Sequence, residues 1–211
     1  MNSPPAPDHQ ALLASFRGLS QGAPEPMEAP EAAVAACFAP DENGAPCLLL
    51  IKRAEHPLDP WSGHIGLPGG RRDPADSTVL ATACRETREE VGLSLGPTHF
   101  VGACPPIEAI RGGVATGLLV HPLVFALDAA SPLVTNHEVA AARWVPLATL
   151  VDPAYGIRHE IATPAGPRRL PGVRLPADEG PEWLLWGLTY RMLSDLLSRS
   201  GLVLASGPPA R

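Results

Sequence analysis

The sequence predicts an α/β fold in which a mixed β-sheet is covered by amphipathic helices. Two apolar runs flank an Asn43-Gly44 pair, a strong signal for a β-hairpin. A strongly patterned helix ends at Gly92, and a second amphipathic helix is predicted over 182–200. With 211 residues the chain can bury a sizeable core as one domain.

The N-terminal part of the chain predicts a small helix before the sheet begins. Residues 9–19 have a helical pattern, and 22–30 are rich in Pro, Ala and Glu, which is typical of a linker. We therefore assign an N-terminal helix and linker to 1–30, the main domain to 31–204 and a flexible tail to 205–211.

Further strands are expected on both sides of the patterned helix, with a second hairpin around Pro164-Ala165-Gly166-Pro167. A short helix should follow the strand that ends near Leu147, and Trp183 and Trp186 are expected in the core-facing side of the final helix. The predicted strands span residues 32–38, 47–53, 100–104, 117–127, 142–147, 158–163 and 169–175.

Three acids crowd the end of the patterned helix, which is unfavourable unless they serve another purpose. Glu86, Glu89 and Glu90 lie near a helix C-terminus, where the helix dipole disfavours negative charge, and Glu86 and Glu90 repel each other at i,i+4. At about 100° per residue the three fall within one arc of about 100°. Such an arrangement indicates a site for a hard divalent cation, and the alternative is a solvated acidic surface.

The neighbours of the acids favour the metal site. Leu80, Ala83, Cys84, Thr87 and Val91 follow the spacing of a buried stripe, so the acids flank a packed face. Upstream, the glycine-rich run 67–74 offers a bare backbone that can approach a phosphate closely.

The stretch from Gly70 to Leu93 resembles the Nudix box, G-x5-E-x7-R-E-U-x-E-E-x-G-U, in which U is a bulky apolar residue. Asp76 stands where a Glu is usual, one extra residue separates it from the box arginine, and Thr87 replaces an apolar residue. The resemblance implies an α/β/α sandwich and metal-dependent hydrolysis of a diphosphate linked to another group. The residues that agree with the box are Gly70, Arg85, Glu86, Glu89, Glu90, Gly92 and Leu93.

Two flanking stretches are similar to the coenzyme A pyrophosphatase branch of that family. Residues 48–53 and 63–70 resemble the segment before the box, and 185–191 resemble the closing helix. Ala54 replaces a Ser of that pattern, and its second Arg is absent, with Leu58 and Asp59 near its place. Alternatives are hydrolysis of ADP-ribose, NADH, dinucleotides or nucleoside triphosphates, or a non-catalytic nucleotide-sensing module.

The resemblance assigns the box acids to metal binding and its arginine to catalysis. Glu86, Glu89 and Glu90 are expected to bind Mg²⁺ or Mn²⁺, with Glu89 also catalytic. Arg85 should orient Glu89 through a salt bridge. Glu138, in the loop before Trp144-Val145-Pro146-Leu147, is expected to bind metal or take a proton from water; the alternative is a solvated loop residue.

Substrate contacts are expected from the residues that lead into the box. Arg53 and Arg71 carry positive charge suited to phosphate, and Gly69 and Gly70 supply an accessible backbone. Asp76 either seats the loop or metal cluster or caps the helix N-terminus.

Composition limits the partners. A net charge of −6 argues against a general nucleic-acid binder. The family resemblance implies a small diphosphate as the partner, and a homodimer stays open. The four cysteines have no C-x-x-C spacing, which favours reduced thiols in a cytoplasmic protein. No run of eighteen apolar residues is present, so membrane association is not expected.

Overall fold

A computed structural model describes residues 7–22, 24–57, 61–163, 166–176 and 181–208. Within these residues the α-helices are α1 (His9–Ser15), α2 (Val79–Val91), α3 (Leu147–Val151) and α4 (Gly187–Ser198). The strands are β1 (Glu31–Pro40), β2 (Pro46–Arg53), β3 (Ile65–Gly66), β4 (Gly69–Arg71), β5 (Phe100–Ala103), β6 (Ile107–Arg111), β7 (Val114–Ala126), β8 (Val139–Pro146), β9 (Gly156–Thr163), β10 (Gly166–Leu175) and β11 (Trp183–Trp186).

Strand β1 lies at the centre of an eight-stranded mixed sheet. It runs parallel to β7, with Ala33 opposite His121, and antiparallel to β2 and β4. Strand β2 also pairs with β3 and β8, and β7 pairs with β5 and β6. The mixed sheet expected from the sequence is confirmed, and a second sheet has the order β11-β10-β9.

The two faces of β1 pack into two separate apolar clusters. Ala33, Ala35 and Cys37 lie in the cluster that contains Val79 and Val91 of α2. The alternate residues of β1, including Phe38, lie in the larger cluster with side chains of α1 and α4. Helices therefore cover both faces of the sheet, and the α/β/α sandwich is confirmed.

The first hairpin forms where the Asn-Gly pair predicts it. Phe38 pairs with Leu48, and the intervening loop is closed by a bond from the Asp41 amide to the Ala45 carbonyl. Gly44 adopts a φ of 81°, a conformation that glycine tolerates at little cost.

The C-terminal helix is shorter than predicted. Residues 183–186 form β11, in which Trp183 and Leu185 are buried and face the core in strand alternation. Pairing with β10 satisfies their backbone groups, and α4 begins only at Gly187, which has a φ of 69°. Trp183 and Trp186 therefore lie on a strand, and the prediction that placed them on the helix is wrong.

Besides β11, the sequence analysis missed the short strands β3 and β4 and the strand β6. β6 forms a hairpin with β7 through Gly112-Gly113, which have φ values of 57° and 89°. The Gly-Gly pair was the available signal, since it fits the positive φ angles of tight hairpin turns. The second predicted hairpin is present as β9 and β10, although Pro164 and Ala165 of its turn lie outside the described residues.

Both chain ends pack on the main body where they are described. Leu12 and Phe16 of the N-terminal segment are fully buried in the larger core cluster. Near the other end, the Ala205 amide donates to Leu150 and the Gly207 amide to Ile157. The predicted domain boundaries stay predictions. No helix among the described residues is long and apolar enough to cross a membrane.

Candidate active site

Helix α2 ends at the predicted Gly92, and three residues of its predicted apolar stripe are buried. The Thr78 hydroxyl accepts a hydrogen bond from the Ala81 amide at 3.1 Å and caps the N-terminus. Gly92 ends the helix with a φ of 71°. Ala83, Thr87 and Val91 are buried against the sheet, which fixes the helix and directs its other side chains to one edge.

The three acids of α2 occupy different environments. Glu90 is only 1% exposed, the Glu86 side chain is 14% exposed and that of Glu89 is 48% exposed. The Gly69 amide donates to Oε2 of Glu90 at 2.8 Å, and Nη1 of Arg53 lies 3.9 Å from Oε1 of Glu90. The acids thus form a graded series from the core to the surface.

Arg85 connects two of these acids to the loop before the helix. Its Nη1 lies 2.9 Å from Oε1 of Glu86 and 3.1 Å from Oε2 of Glu89. Its Nη2 donates to Asp76 at 2.8 Å and to the carbonyl of Arg71 at 3.2 Å. The structure therefore contains the expected Arg85–Glu89 salt bridge, which is one contact of a larger network.

Asp76 holds Arg85 and does not cap the helix. Its carboxylate accepts bonds from Arg85 Nε and Nη2 and from the Asp73 amide. Thr78 makes the N-terminal cap, so the alternative of Asp76 as the cap is wrong. Asp76 reaches Arg85 although Asp is shorter than the Glu that is usual at this position of the box, and although one extra residue separates Asp76 from Arg85.

Gly69 and Gly70 run between β1 and the acids at a separation that excludes larger residues. A Cβ on Gly69 would lie 2.2 Å from the carbonyl oxygen of Ala33. A Cβ on Gly70 would lie 2.5 Å from Cδ of Glu86. This backbone therefore lies close to β1 and to the Glu86 carboxylate, and its predicted approach to a phosphate stays a prediction.

The loop before β8 brings Glu138 to the same edge. The amides of Val134 and Asn136 donate to the carbonyls of Val91 and Glu90, which end α2. The Glu138 carbonyl accepts from the Ala54 amide at 2.8 Å, while its carboxylate is 54% exposed and acts electrostatically on Glu86 and Glu90. The Arg71 side chain is exposed at the edge of β4.

The sequence from residue 28 to residue 165 matches the family model described as the NUDIX domain. The chain belongs to the Nudix domain family. Its box runs from Gly70 to Leu93 and comprises β4, the following loop and α2.

Relatives and solved structures agree with this membership. An uncharacterized protein of Schizosaccharomyces pombe (strain 972) is 41% identical over 123 residues, 56% of this chain and 37% of that protein. The uncharacterized Nudix hydrolase NudL of Yersinia pestis (strain Pestoides F) is 36% identical over 96 residues, 46% of this chain and 45% of that protein. The chain therefore spans less than half the length of these relatives.

A crystal structure of a MutT/nudix family protein from Enterococcus faecalis shares the fold. The two structures align with a TM-score of 0.53 at 15% identity, covering 88% of this chain and 65% of that chain. At this level of identity the similarity concerns the fold alone.

The chemistry of the Nudix box fits a divalent cation. Burial raises the pKa of Glu86 and raises that of Glu90 to about 8. Repulsion from Glu89 and Glu138 adds to the shift of Glu86, and repulsion from Glu86 and Glu138 adds to that of Glu90. A cation relieves this cost, and carboxylate oxygens suit Mg²⁺ or Mn²⁺. Among the described residues no group of three His, Cys, Asp or Glu side chains is already arranged around one metal position, since Arg85 bonds to Glu86 and Glu89.

The raised pKa of Glu90 predicts a pH-dependent stability of the metal-free protein. Its pKa of about 8 lies above the ordinary 4.5, so the folded state binds the proton more tightly than the unfolded chain. The free energy of unfolding contributed by Glu90 should therefore fall as the pH rises from about 4.5 to about 8.

Urea unfolding of the wild type and Glu90→Gln at several pH values in EDTA measures this contribution. As the pH rises across that range, the free energy of unfolding should fall more in the wild type than in Glu90→Gln, because the Gln amide does not titrate. Titrating groups that do not interact with Glu90 cancel in the difference. Parallel stability curves would contradict the raised pKa.

Gly70→Ala should disturb the acids without unfolding the protein. The added methyl meets the carboxylate of Glu86, the mobile end of a side chain, so we expect Glu86 to move and the fold to persist. Affinity for Mn²⁺, measured by electron paramagnetic resonance, should fall at least about tenfold. Gly18→Ala is the control because nothing lies within 4 Å of the added Cβ. Unchanged affinity in Gly70→Ala would contradict the expected displacement.

Proposed function

We propose that this chain is a metal-dependent hydrolase that cleaves a diphosphate linkage, with coenzyme A or an acyl-coenzyme A as its substrate. The products would be 4′-phosphopantetheine, or its acyl form, and 3′,5′-ADP. The observation that carries the proposal is the placement of Glu86 and Glu90 against the glycine backbone of β4, with Arg85 holding Glu86 and Glu89.

Glu86, Glu89 and Glu90 would hold Mg²⁺ or Mn²⁺. A divalent cation would neutralise the oxygens of the diphosphate, whose negative charge otherwise repels water. Glu90 is oriented by the Gly69 amide, and Glu86 and Glu89 by Arg85. These contacts hold each carboxylate beside the proposed site, and the three would still have to turn toward one cation when it binds.

Residues around the acids would bind the substrate and move a proton. Arg53 lies beside Glu90 and Arg71 is exposed on β4, so both cations can meet phosphate oxygens. Gly69 and Gly70 run beside Glu90 and Glu86, so their backbone would lie next to the cation and the diphosphate that it holds. Glu138 is exposed near the acids, which suits a group that accepts a proton from the attacking water, and Glu89 is the other candidate.

The coenzyme A assignment rests on the sequence flanking the box. The stretch 48–53 forms most of β2, while 63–70 spans β3 and most of β4, so both matched segments adjoin the acids. Leu58 and Asp59, which stand near the place of the missing Arg, lie outside the described residues. We also propose that the protein acts in the cytoplasm and binds neither nucleic acid nor membranes. Sedimentation would test whether it forms a homodimer.

Product analysis tests this function. Purified protein with Mg²⁺ or Mn²⁺ is incubated with coenzyme A, acyl-coenzyme A, ADP-ribose, NADH and nucleoside triphosphates, with EDTA as the control, and products are identified by mass spectrometry. Metal-dependent release of 4′-phosphopantetheine and 3′,5′-ADP, faster than any other cleavage, is the expected result. Preferential cleavage of another compound would contradict the coenzyme A assignment and would still support metal-dependent cleavage of a diphosphate. Cleavage of none by folded, metal-bound protein would favour a nucleotide-sensing module.

A further inference from the structure

A buried acid lies at the start of the central strand, outside the carboxylates of α2. The side chain of Glu31 is 0% exposed, and that of His121, its neighbour on β7, is 1% exposed. Oε1 of Glu31 lies 2.9 Å from Nε2 of His121, and Oε2 accepts from Nε of Arg72 at 3.1 Å. Both oxygens of a fully buried carboxylate are therefore engaged by groups able to donate a hydrogen bond.

This group lies on two central strands of the eight-stranded sheet. Glu31 and His121 lie on the parallel pair β1 and β7, where Ala33 is opposite His121. The Arg72 amide also donates to the Glu31 carbonyl at 2.9 Å. Arg72 is thus held by both its backbone and its guanidinium.

Arg72 continues the contacts toward the Nudix box. Its Nη1 donates to the Asp76 carbonyl at 3.2 Å. The carboxylate of Asp76 accepts from Arg85, which in turn contacts Glu86 and Glu89. A continuous series of contacts therefore joins a buried pair in the sheet to two of the acids expected to bind metal.

Packing alone does not account for this buried group. Nδ1 of His121 is buried without a hydrogen-bond partner among the described residues, and such atoms are rare in folded proteins. Buried ion pairs often stabilise a protein no more than apolar residues of similar volume. A role in holding the loop of Asp76 in one geometry explains why Glu31 is buried beside Arg72.

We propose that Glu31, Arg72 and His121 form a positioning group that fixes the loop carrying Asp76 and, through Arg85, the metal-binding geometry of Glu86 and Glu89. The proposal rests on the proposed metal-dependent function and adds to it residues that contact neither metal nor substrate. Because the carboxyl groups must converge on a cation, loss of the Arg72 contacts should weaken metal binding and slow the chemical step more than substrate binding.

Glu31→Gln and Arg72→Gln test the proposal. Glu31→Gln removes the negative charge of the Arg72–Glu31 ion pair, and Arg72→Gln removes its guanidinium. Both substitutions keep much of the side-chain volume. The control is Glu160→Gln, since Arg169 Nε donates to Oε2 of Glu160 at the same 3.1 Å, but on the exposed β9–β10 hairpin. Mn²⁺ affinity by electron paramagnetic resonance, kcat and KM are measured below the melting temperature of each protein.

Both test variants should lose about 10–100-fold in Mn²⁺ affinity and in kcat, with KM nearly unchanged, while the control matches the wild type. Wild-type metal affinity and turnover in either folded test variant would overturn the proposal. If Glu31→Gln fails to fold, Arg72→Gln decides, because the Arg72 side chain is 27% exposed.

The two proposals can fail separately. If the wild type cleaves no diphosphate, Mn²⁺ affinity alone decides the positioning role, and only the proposed function is lost. Absence of Mn²⁺ binding by the folded wild type would overturn both.

Discussion

Glu89→Gln is expected to lower turnover at least about 100-fold while leaving the fold intact. Loss of a metal ligand should slow turnover more than loss of a residue that only orients a ligand. The Glu89 side chain is 48% exposed, so the substitution does not disturb the core. The amide oxygen can still accept from Arg85 Nη1, which lies 3.1 Å from the present carboxylate. The variant therefore removes charge from the proposed cation site and little else.

Turnover at saturating substrate and Mg²⁺ measures this effect, and thermal melting verifies the fold. Glu182→Gln is the matched control: its carboxylate is also exposed and lies 3.5 Å from Nε of Arg174, away from α2. We expect the control to retain wild-type turnover. Near-normal turnover in folded Glu89→Gln would remove Glu89 from the catalytic group, and partial recovery at high Mn²⁺ would support its role as a ligand.

Gly69→Ala is expected to destabilise the protein by roughly 2–5 kcal/mol, since backbone strain and overpacking act together. Gly69 has a φ of 148°, which L-residues with side chains rarely adopt. Its Cβ would also meet two backbone atoms, the carbonyl oxygen of Ala33 at 2.2 Å and Cα of Val34 at 2.6 Å. These atoms belong to the central strand and cannot rotate away, unlike the Glu86 carboxylate that faces Gly70.

Two other glycines separate the contributions to this cost. Gly113→Ala places a side chain at a φ of 89° with nothing within 4 Å, so it reports backbone strain alone. Gly96→Ala has an ordinary extended φ of −139° and open space, so it reports neither strain nor a clash. Urea midpoints with constant m-values give the three changes in unfolding free energy. Equal losses in Gly69→Ala and Gly113→Ala would contradict the close approach to β1.

Local patterns predicted most of the helix and strand framework. The stripe of Ala83, Thr87 and Val91 and the stop at Gly92 defined α2, because both depend on residues close in sequence. The strand at 183–186 was assigned to a helix, since its pairing with β10 is a long-range interaction that a short apolar run does not reveal.

In the candidate site, too, the sequence identified the residues but not their burial or their contacts. The box motif identified Arg85, Glu86, Glu89 and Glu90, whose shared helix face follows from helical spacing alone. Their different burial was not predictable, because it depends on how deeply α2 packs against a strand rich in alanine. Glu138 was identified through the family resemblance, and its proximity to the acids depends on a loop that bonds to the end of α2.

The sequence by itself therefore determined the α/β class, the acidic helix and the glycine run that precedes it, because each is encoded by neighbouring residues. The α/β/α sandwich followed from the family resemblance. Only the tertiary structure decided that Gly69 bonds to Glu90, that Gly70 lies against Glu86, and that Glu31 is joined through Arg72 to the loop of Asp76. These contacts link residues as many as 41 positions apart. They depend on strand register and packing depth, which local sequence does not specify.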